Sequence, residues 1–310
     1  MSTTVDDIHG NNPTKSSDYH EEHHNSHNND HHKHKHHHAS HSHQDINDIV
    51  YPAQMGRDLA ADAAVKDKLA NHHILIRGFL CTPFLAYGAC FAYLLTAQGA
   101  PSTIAGFMFP VGYVMLSVLG LEMATGSFSV MPIGVYAGTV SLRGLARNWG
   151  LTYIGNILGG LFFAVLLWGS LTKFGSEEPP LLLTAIVKVA EHKAAYMNYG
   201  PVVGWCSAIG MGILCNWLVS LGPIMAKTSH SMIGKVVMMW IAIGTFFALG
   251  FEHAVVNLFA FPMGILSGAK VTVAQWWLWN EIPVTIGNIL GAVIFNSTLW
   301  YYTHSAEHNK

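Results

Sequence analysis

Apolar residues run through this chain in long blocks separated by short polar connections, and the lengths of those blocks predict its elements. A helix needs about 20 predominantly apolar residues to cross a bilayer. Blocks of that size lie near 74–97, 103–122, 147–170, 200–222, 232–251 and 275–302, which predicts six spanning helices. Two further apolar stretches, 127–138 and 257–268, are too short to cross and are broken by Gly and Pro. Irregular backbone is not tolerated against lipid, so a helix interrupted at membrane depth must face a protein cavity or pore.

The pattern also repeats. LEMATGSFSVMPIGVYAG (121–138) aligns with FEHAVVNLFAFPMGILSG (251–268), and each is followed by IGNILG, at 154–159 and 286–291. Glu122 falls on Glu252, Ala124 on Ala254, Pro132 on Pro262, Asn148 on Asn280 and Asn156 on Asn288. Three spans per half is an odd number, so the second half enters the membrane from the opposite side. The expected fold is an all-α membrane protein with an inverted 3+3 repeat, whose broken helices mark a substrate site near the midplane. The glycines of IGNILG, four apart, form a face on which helices approach closely. Asn156 and Asn288 then either satisfy backbone groups freed at the breaks or serve as packing alone.

Charge orients the spans. Arg143 and Arg147 flank the second connection and Lys227 and Lys235 the fourth, whereas the first connection, AQGAPST, carries no positive charge. The positive-inside rule therefore expects both termini in the cytoplasm, with Lys173, Lys188, Lys193 and Lys270 on the outer side.

Composition supports the membrane reading: 51% of the 310 residues are hydrophobic and 11% charged, too apolar for an ordinary soluble chain of this length. The first fifty residues differ, holding thirteen of the twenty histidines and eight acidic against three basic side chains. Such a segment buries too little to offset its ordering entropy. The expected organisation is a disordered, His-rich cytoplasmic tail over 1–50, a transmembrane body over 51–303 and a short tail over 304–310. Imidazoles in HHKHKHHHASHSH suit Zn²⁺, Ni²⁺ or Cu²⁺, but no fixed geometry accompanies them, so no dedicated metal site is expected. Cys81, Cys90, Cys206 and Cys215 lie in apolar runs and read as packing residues. No cofactor and no nucleic-acid partner is expected.

The candidate chemistry centres on GFEHAVVN (250–257), where Glu252, His253 and Asn257 stand at a helix break in apolar surroundings. Ionisable groups there are costly to bury and point to function. His253 can donate a hydrogen bond to an anion while neutral, or lend a proton when charged. Glu122 and Glu252 read as tethers of their own loops, with Glu252 orienting the adjacent His253; a proton-carrying role for Glu252 is the alternative. Thr125 and Gly126, followed by Ser127, open the first short helix, where hydroxyl and amide groups form either an anion site or an ordinary N-cap. Lys193, before span four, either gathers anions or is a solvated surface charge.

ATGSFSV, GILCNWLVSLG, LGFEHAVVNLFAFPMGI and IPVTIGNILGA, in that order, resemble the formate/nitrite transporter family over about residues 50–303. The resemblance implies an aquaporin-like fold of six spanning helices with helices two and five broken, five protomers in a ring and a pore through each. It implies His253 at the pore centre with Thr125 opposite, Asn216 and Asn257 near the pore, and Lys193 in a vestibule. Phe109, Met123, Val219 and Phe246 fall where bulky apolar residues form two constrictions, while Tyr113 departs from the apolar pattern. The expected function is movement of a small monovalent anion with a proton across the plasma membrane, formate first and nitrite next. Lactate, acetate or hydrosulfide through the same pore, or a metal-linked transporter using the His-rich tail, are the alternatives. A water or glycerol pore would carry Asn-Pro-Ala boxes, which are absent, and no nucleophile–base pair suggests an enzyme.

Overall fold

The computed structural model describes residues 48–305. The His-rich stretch read as a tail lies outside the described residues up to position 47, as does the end of the chain from 306. Among the described residues the structure is helical, with no strand and one isolated bridge between Ile49 and Ser229.

Ten helical runs follow one another, and the second five repeat the order of the first. They are α1 (Pro52–Asp67), α2 (Asn71–Ala97), α3 (Ser102–Val118), α4 (Ala124–Tyr136) and α5 (Leu142–Thr172). Then come α6 (Leu181–Ala194), α7 (Gly200–Ala226), α8 (Met232–Ala248), α9 (Ala254–Leu266) and α10 (Val273–His304), the last with two π-helical turns at Trp277–Glu281 and Ala292–Leu299. α2, α5, the run Leu181–Ala226 and α10 are long and apolar enough to cross a membrane, whereas α3, α8 and α9 are shorter apolar helices.

Two of these helices have no counterpart among the expected spans. α1 buries Met55, Leu59, Ala60 and Ala63, and α6 buries Leu183, Ile186, Ala190 and Ala194. Spacings of three and four put each set on one face of a helix. The other face of α1 is polar, so it forms no continuous apolar run, whereas α6 opens on LLLTAIV, which is too short to cross by itself. α1 packs on α4 and α6 packs on α9, with Ala63 against Gly134 and Ala190 against Gly264.

The IGNILG motif explains how the long helices approach. A Cβ on Gly155 would sit 2.7 Å from the Leu75 carbonyl oxygen and 3.0 Å from Gly78 Cα, so α5 lies directly on α2. A Cβ on Gly287 would likewise sit 3.0 Å from Gly212 Cα, which places α10 on α7. Between α3 and α4, and between α8 and α9, five residues leave the helix. The second residue of each passage is a left-handed glycine, Gly120 (φ 64°) or Gly250 (φ 72°), which stops the preceding helix where a side chain would be strained. Each finishes at an extended residue, Met123 or His253. Cys81, Cys90 and Cys215 are buried, but Cys206 is exposed on α7, contrary to the packing role expected of it.

Candidate functional site

The two interruptions face each other at the centre of the protein. Their free backbone groups are taken up by one asparagine each. Asn156 Nδ2 donates to the carbonyls of Gly78 (2.8 Å) and Glu122 (3.0 Å), and its Oδ1 accepts from Ala124 N (2.9 Å). Asn288 does the same with Gly212 (2.8 Å), Glu252 (3.0 Å) and Ala254 N (2.9 Å). A lone side chain thereby ties three elements and satisfies groups that water cannot reach.

The repeat puts Met123 in one half where His253 stands in the other, so the chemistry is one-sided. His253 caps α9: its Nδ1 accepts from Val256 N at 3.2 Å. Its Nε2 lies 2.9 Å from Thr125 Oγ1, in the first turn of α4. Because Nδ1 is used as an acceptor, a neutral imidazole carries its proton on Nε2 and donates toward Thr125. Both residues are buried, and the starts of α4 and α9, with the positive ends of their dipoles, converge on them. Asn216 Nδ2 donates to the Thr125 carbonyl (3.1 Å) and the Asn288 carbonyl (2.8 Å), and Ser220 Oγ supports Asn216 Oδ1 (3.2 Å). Asn216 therefore spends its amide holding Thr125 in place.

Glu252 does not orient His253, as the sequence suggested. Its carboxylate turns away and accepts from Lys193 Nζ (2.7 Å), Asn257 Nδ2 (3.0 Å) and Tyr196 Oη (3.5 Å), while His253 is oriented by Val256 and Thr125. Four donors around a buried carboxylate repay its desolvation better than one imidazole could; the fourth is Asn280 Nδ2 at 3.4 Å. Lys193 is accordingly no free vestibule charge but half of an ion pair. In the other half Glu122 accepts from Lys66 Nζ at 2.7 Å. Sequence reasoning missed Lys66, because it sits in the polar stretch AVKDK; its signal is the matched spacing Ala63–Lys66 and Ala190–Lys193.

A cavity of about 790 Å³ runs inward past Lys188, His192, Lys193 and Tyr196 to Phe246, Glu252 and His253. The Phe246 ring lies 5.5 Å from that of His253 and 5.6 Å from that of Phe109, which stacks on Phe247 at 4.0 Å. Of the five residues expected at constrictions, Phe246 lines this cavity; Phe109, Tyr113, Met123 and Val219 are buried but do not line it.

The sequence profile of the family described as "Formate/nitrite transporter" matches residues 53–302. The chain belongs to the formate/nitrite transporter family. Membership makes it an integral membrane protein and a transporter, not an enzyme. Its relatives in the family include the probable formate transporter of Methanothermobacter thermautotrophicus, 34% identical over 83% of this chain and 97% of that one. The formate channel FocA of Haemophilus influenzae is 32% identical over 68% of this chain and 84% of its own. Among solved structures, an "FNT family ion channel" matches 81% of this chain and 98% of its own at a TM-score of 0.71 and 27% identity. A "Pentameric formate channel with formate bound" shares the fold at a TM-score of 0.64 and 23% identity, over 78% of this chain and 98% of that one.

Proposed function

We propose that the protein carries formate across a membrane as a proton-linked small-anion transporter, with nitrite as the next substrate. The observation that carries this reading is the contact of Thr125 Oγ1 with His253 Nε2 at the inner end of the cavity. The names of the relatives favour formate.

Six crossings fit the helix lengths. α2, α5, α7 and α10 each cross alone, while α3 with α4, and α8 with α9, cross as broken pairs. The two halves insert with opposite orientation, and Arg143, Arg147, Lys227 and Lys235 favour cytoplasmic termini in a plasma membrane. The pentameric state named for the solved formate channel suggests a homopentamer with one pore in each protomer.

In the pore, a formate ion leaving water for an apolar passage loses solvation, which raises its affinity for a proton. Phe246 on the cavity side, and Met123 and Val219 on the other, exclude bare ions, whereas a neutral small acid passes at low cost. Between them the substrate displaces the Thr125–His253 contact and takes a hydrogen bond from His253 Nε2–H. A second proton on His253 would have to sit on Nδ1 and would break the Val256 cap. His253 therefore works as a neutral donor, and the proton that accompanies formate comes from water on one side and leaves on the other. Lactate, acetate and hydrosulfide are competitors for the same passage.

The test is uptake of labelled formate by liposomes holding the purified protein, with nitrite, lactate and hydrosulfide as competitors. Saturable uptake above that of empty liposomes, inhibited best by nitrite, is expected. No uptake at any pH would overturn the reading.

A further inference from the structure

The two halves share their Lys–Glu ion pairs but differ in the polar groups behind them. In the second half Asn257 Nδ2 donates to Glu252 Oε2 (3.0 Å) and Asn280 Oδ1 (2.7 Å), and Asn280 Nδ2 donates to the Lys193 carbonyl (3.0 Å). Apart from Asn257 Oδ1, the polar atoms of that cluster have protein partners. The counterparts of Asn257 and Asn280 in the first half are Ser127 and Asn148, and Val284 is answered by Thr152, one turn beyond Asn148 on α5. There Ser127 Oγ, both side-chain polar atoms of Asn148 and Thr152 Oγ1 have no hydrogen-bond partner among the described residues. All three residues are 0–1% exposed. Ser127 and α5 are in contact, since Trp149 Nε1 donates to the Ser127 carbonyl at 3.0 Å. Among the described residues Glu122, whose counterpart has four donors, receives one, from Lys66.

Leaving four buried polar atoms unmatched would cost about 1–3 kcal/mol each, a penalty native proteins avoid. We propose that Ser127, Asn148 and Thr152 form a buried hydration site beside the Lys66–Glu122 pair, holding one or two water molecules where the other half has the Asn257 amide. The chemistry favours water. Asn148 offers a donor and an acceptor and each hydroxyl offers both, which suits a neutral molecule that donates and accepts. An anion would face Asn148 Oδ1 and the Glu122 carboxylate. The space a serine leaves relative to an asparagine is on the order of one water. The consequence is asymmetry: the Lys66–Glu122 pair is backed by buried water, and the Lys193–Glu252 pair is backed by protein amides.

Three stability measurements on the detergent-solubilised full chain test this independently of transport, so its failure is separable from failure of the proposed function. Thr152→Val removes the hydroxyl and copies Val284. If the hydroxyl binds water, the melting temperature falls by about 2–4 °C; a hydroxyl that is truly orphaned would instead make the variant more stable. Ser127→Asn copies Asn257, displaces the water and is expected to hold or raise the melting temperature. On that background Thr152→Val should become stabilising, because its water has gone. A rise for Thr152→Val in the wild-type chain, or the same sign in both backgrounds, overturns the proposal. So does a map at about 2 Å resolution in which Asn148 bonds protein groups with no density beside Ser127.

Discussion

Thr125 Oγ1 lies 2.9 Å from His253 Nε2, and the two residues come from opposite halves of the repeat. Neither half could build this pair alone, since the place of His253 is taken by Met123 in the first half and that of Thr125 by Val255 in the second. Thr125→Val keeps the shape and removes the hydroxyl. Formate uptake is expected to fall by roughly tenfold, corresponding to one lost hydrogen bond, while Thr125→Ser retains most of it. Initial uptake rates, normalised to the amount of folded protein, check this.

His253→Asn separates a neutral donor from a proton relay. Asparagine still caps α9, so the fold should survive. Uptake is expected to drop by at least about tenfold for loss of a buried hydrogen bond to a polar substrate. Its rise with falling pH should persist, because the proton travels with formate. A flat pH profile in this variant would mean that His253 itself carries the proton.

Asn156→Ala and Asn288→Ala each remove three hydrogen bonds at a helix interruption. Each is expected to destabilise the protein by about 2–4 kcal/mol, since the freed backbone groups stay buried. Because the two networks match within 0.1 Å, the two losses should be similar in equilibrium unfolding.

Lys193→Ala leaves the Glu252 carboxylate buried without its cation. Side-chain exposures of 13% and 5% place this pair well inside, so the loss is expected to be about 3–5 kcal/mol. Glu252→Gln in the same chain should recover part of it, and a double-mutant cycle in unfolding experiments reads the coupling.

Asp48 fastens the start of the described chain to the α7–α8 connection, accepting from Ser229 Oγ (2.9 Å), Ser231 N (2.8 Å) and His230 N (2.9 Å). The Ser229 hydroxyl, then the Ser231 and His230 amides, hold its carboxyl below the usual range. A depressed value in the folded state favours attachment above the ordinary carboxylate range and withdraws that contribution as pH falls through the lowered value. Hydrogen exchange at Ser231, corrected for its intrinsic rate, should lose protection in acid, and Asp48→Asn should lose it at neutral pH.

Much of the fold was legible because its signals are continuous. Blocks of apolar residues gave the long helices, and the doubled IGNILG gave the close contacts of α5 with α2 and α10 with α7. α1 was not legible, since Met55, Leu59 and Ala63 are spread among charges and mark one face, not a run, and the apolar start of α6, LLLTAIV, is too short to count as a span. At the site, His253 stood out as an ionisable group in an apolar stretch. Its orientation did not: the Glu252–Lys193 pair joins residues 59 apart in sequence, and only folding brings α6 beside the interruption. Lys66 was hidden for the same reason.

The central claim is that formate crosses together with a proton, as a neutral species. Its most direct test is labelled-formate uptake into liposomes holding the protein, comparing an inward proton gradient with an imposed membrane potential. Uptake that accelerates with the proton gradient and ignores the potential is the predicted result. Uptake that follows the potential and is indifferent to the proton gradient would mean that the bare anion crosses, and would contradict the account.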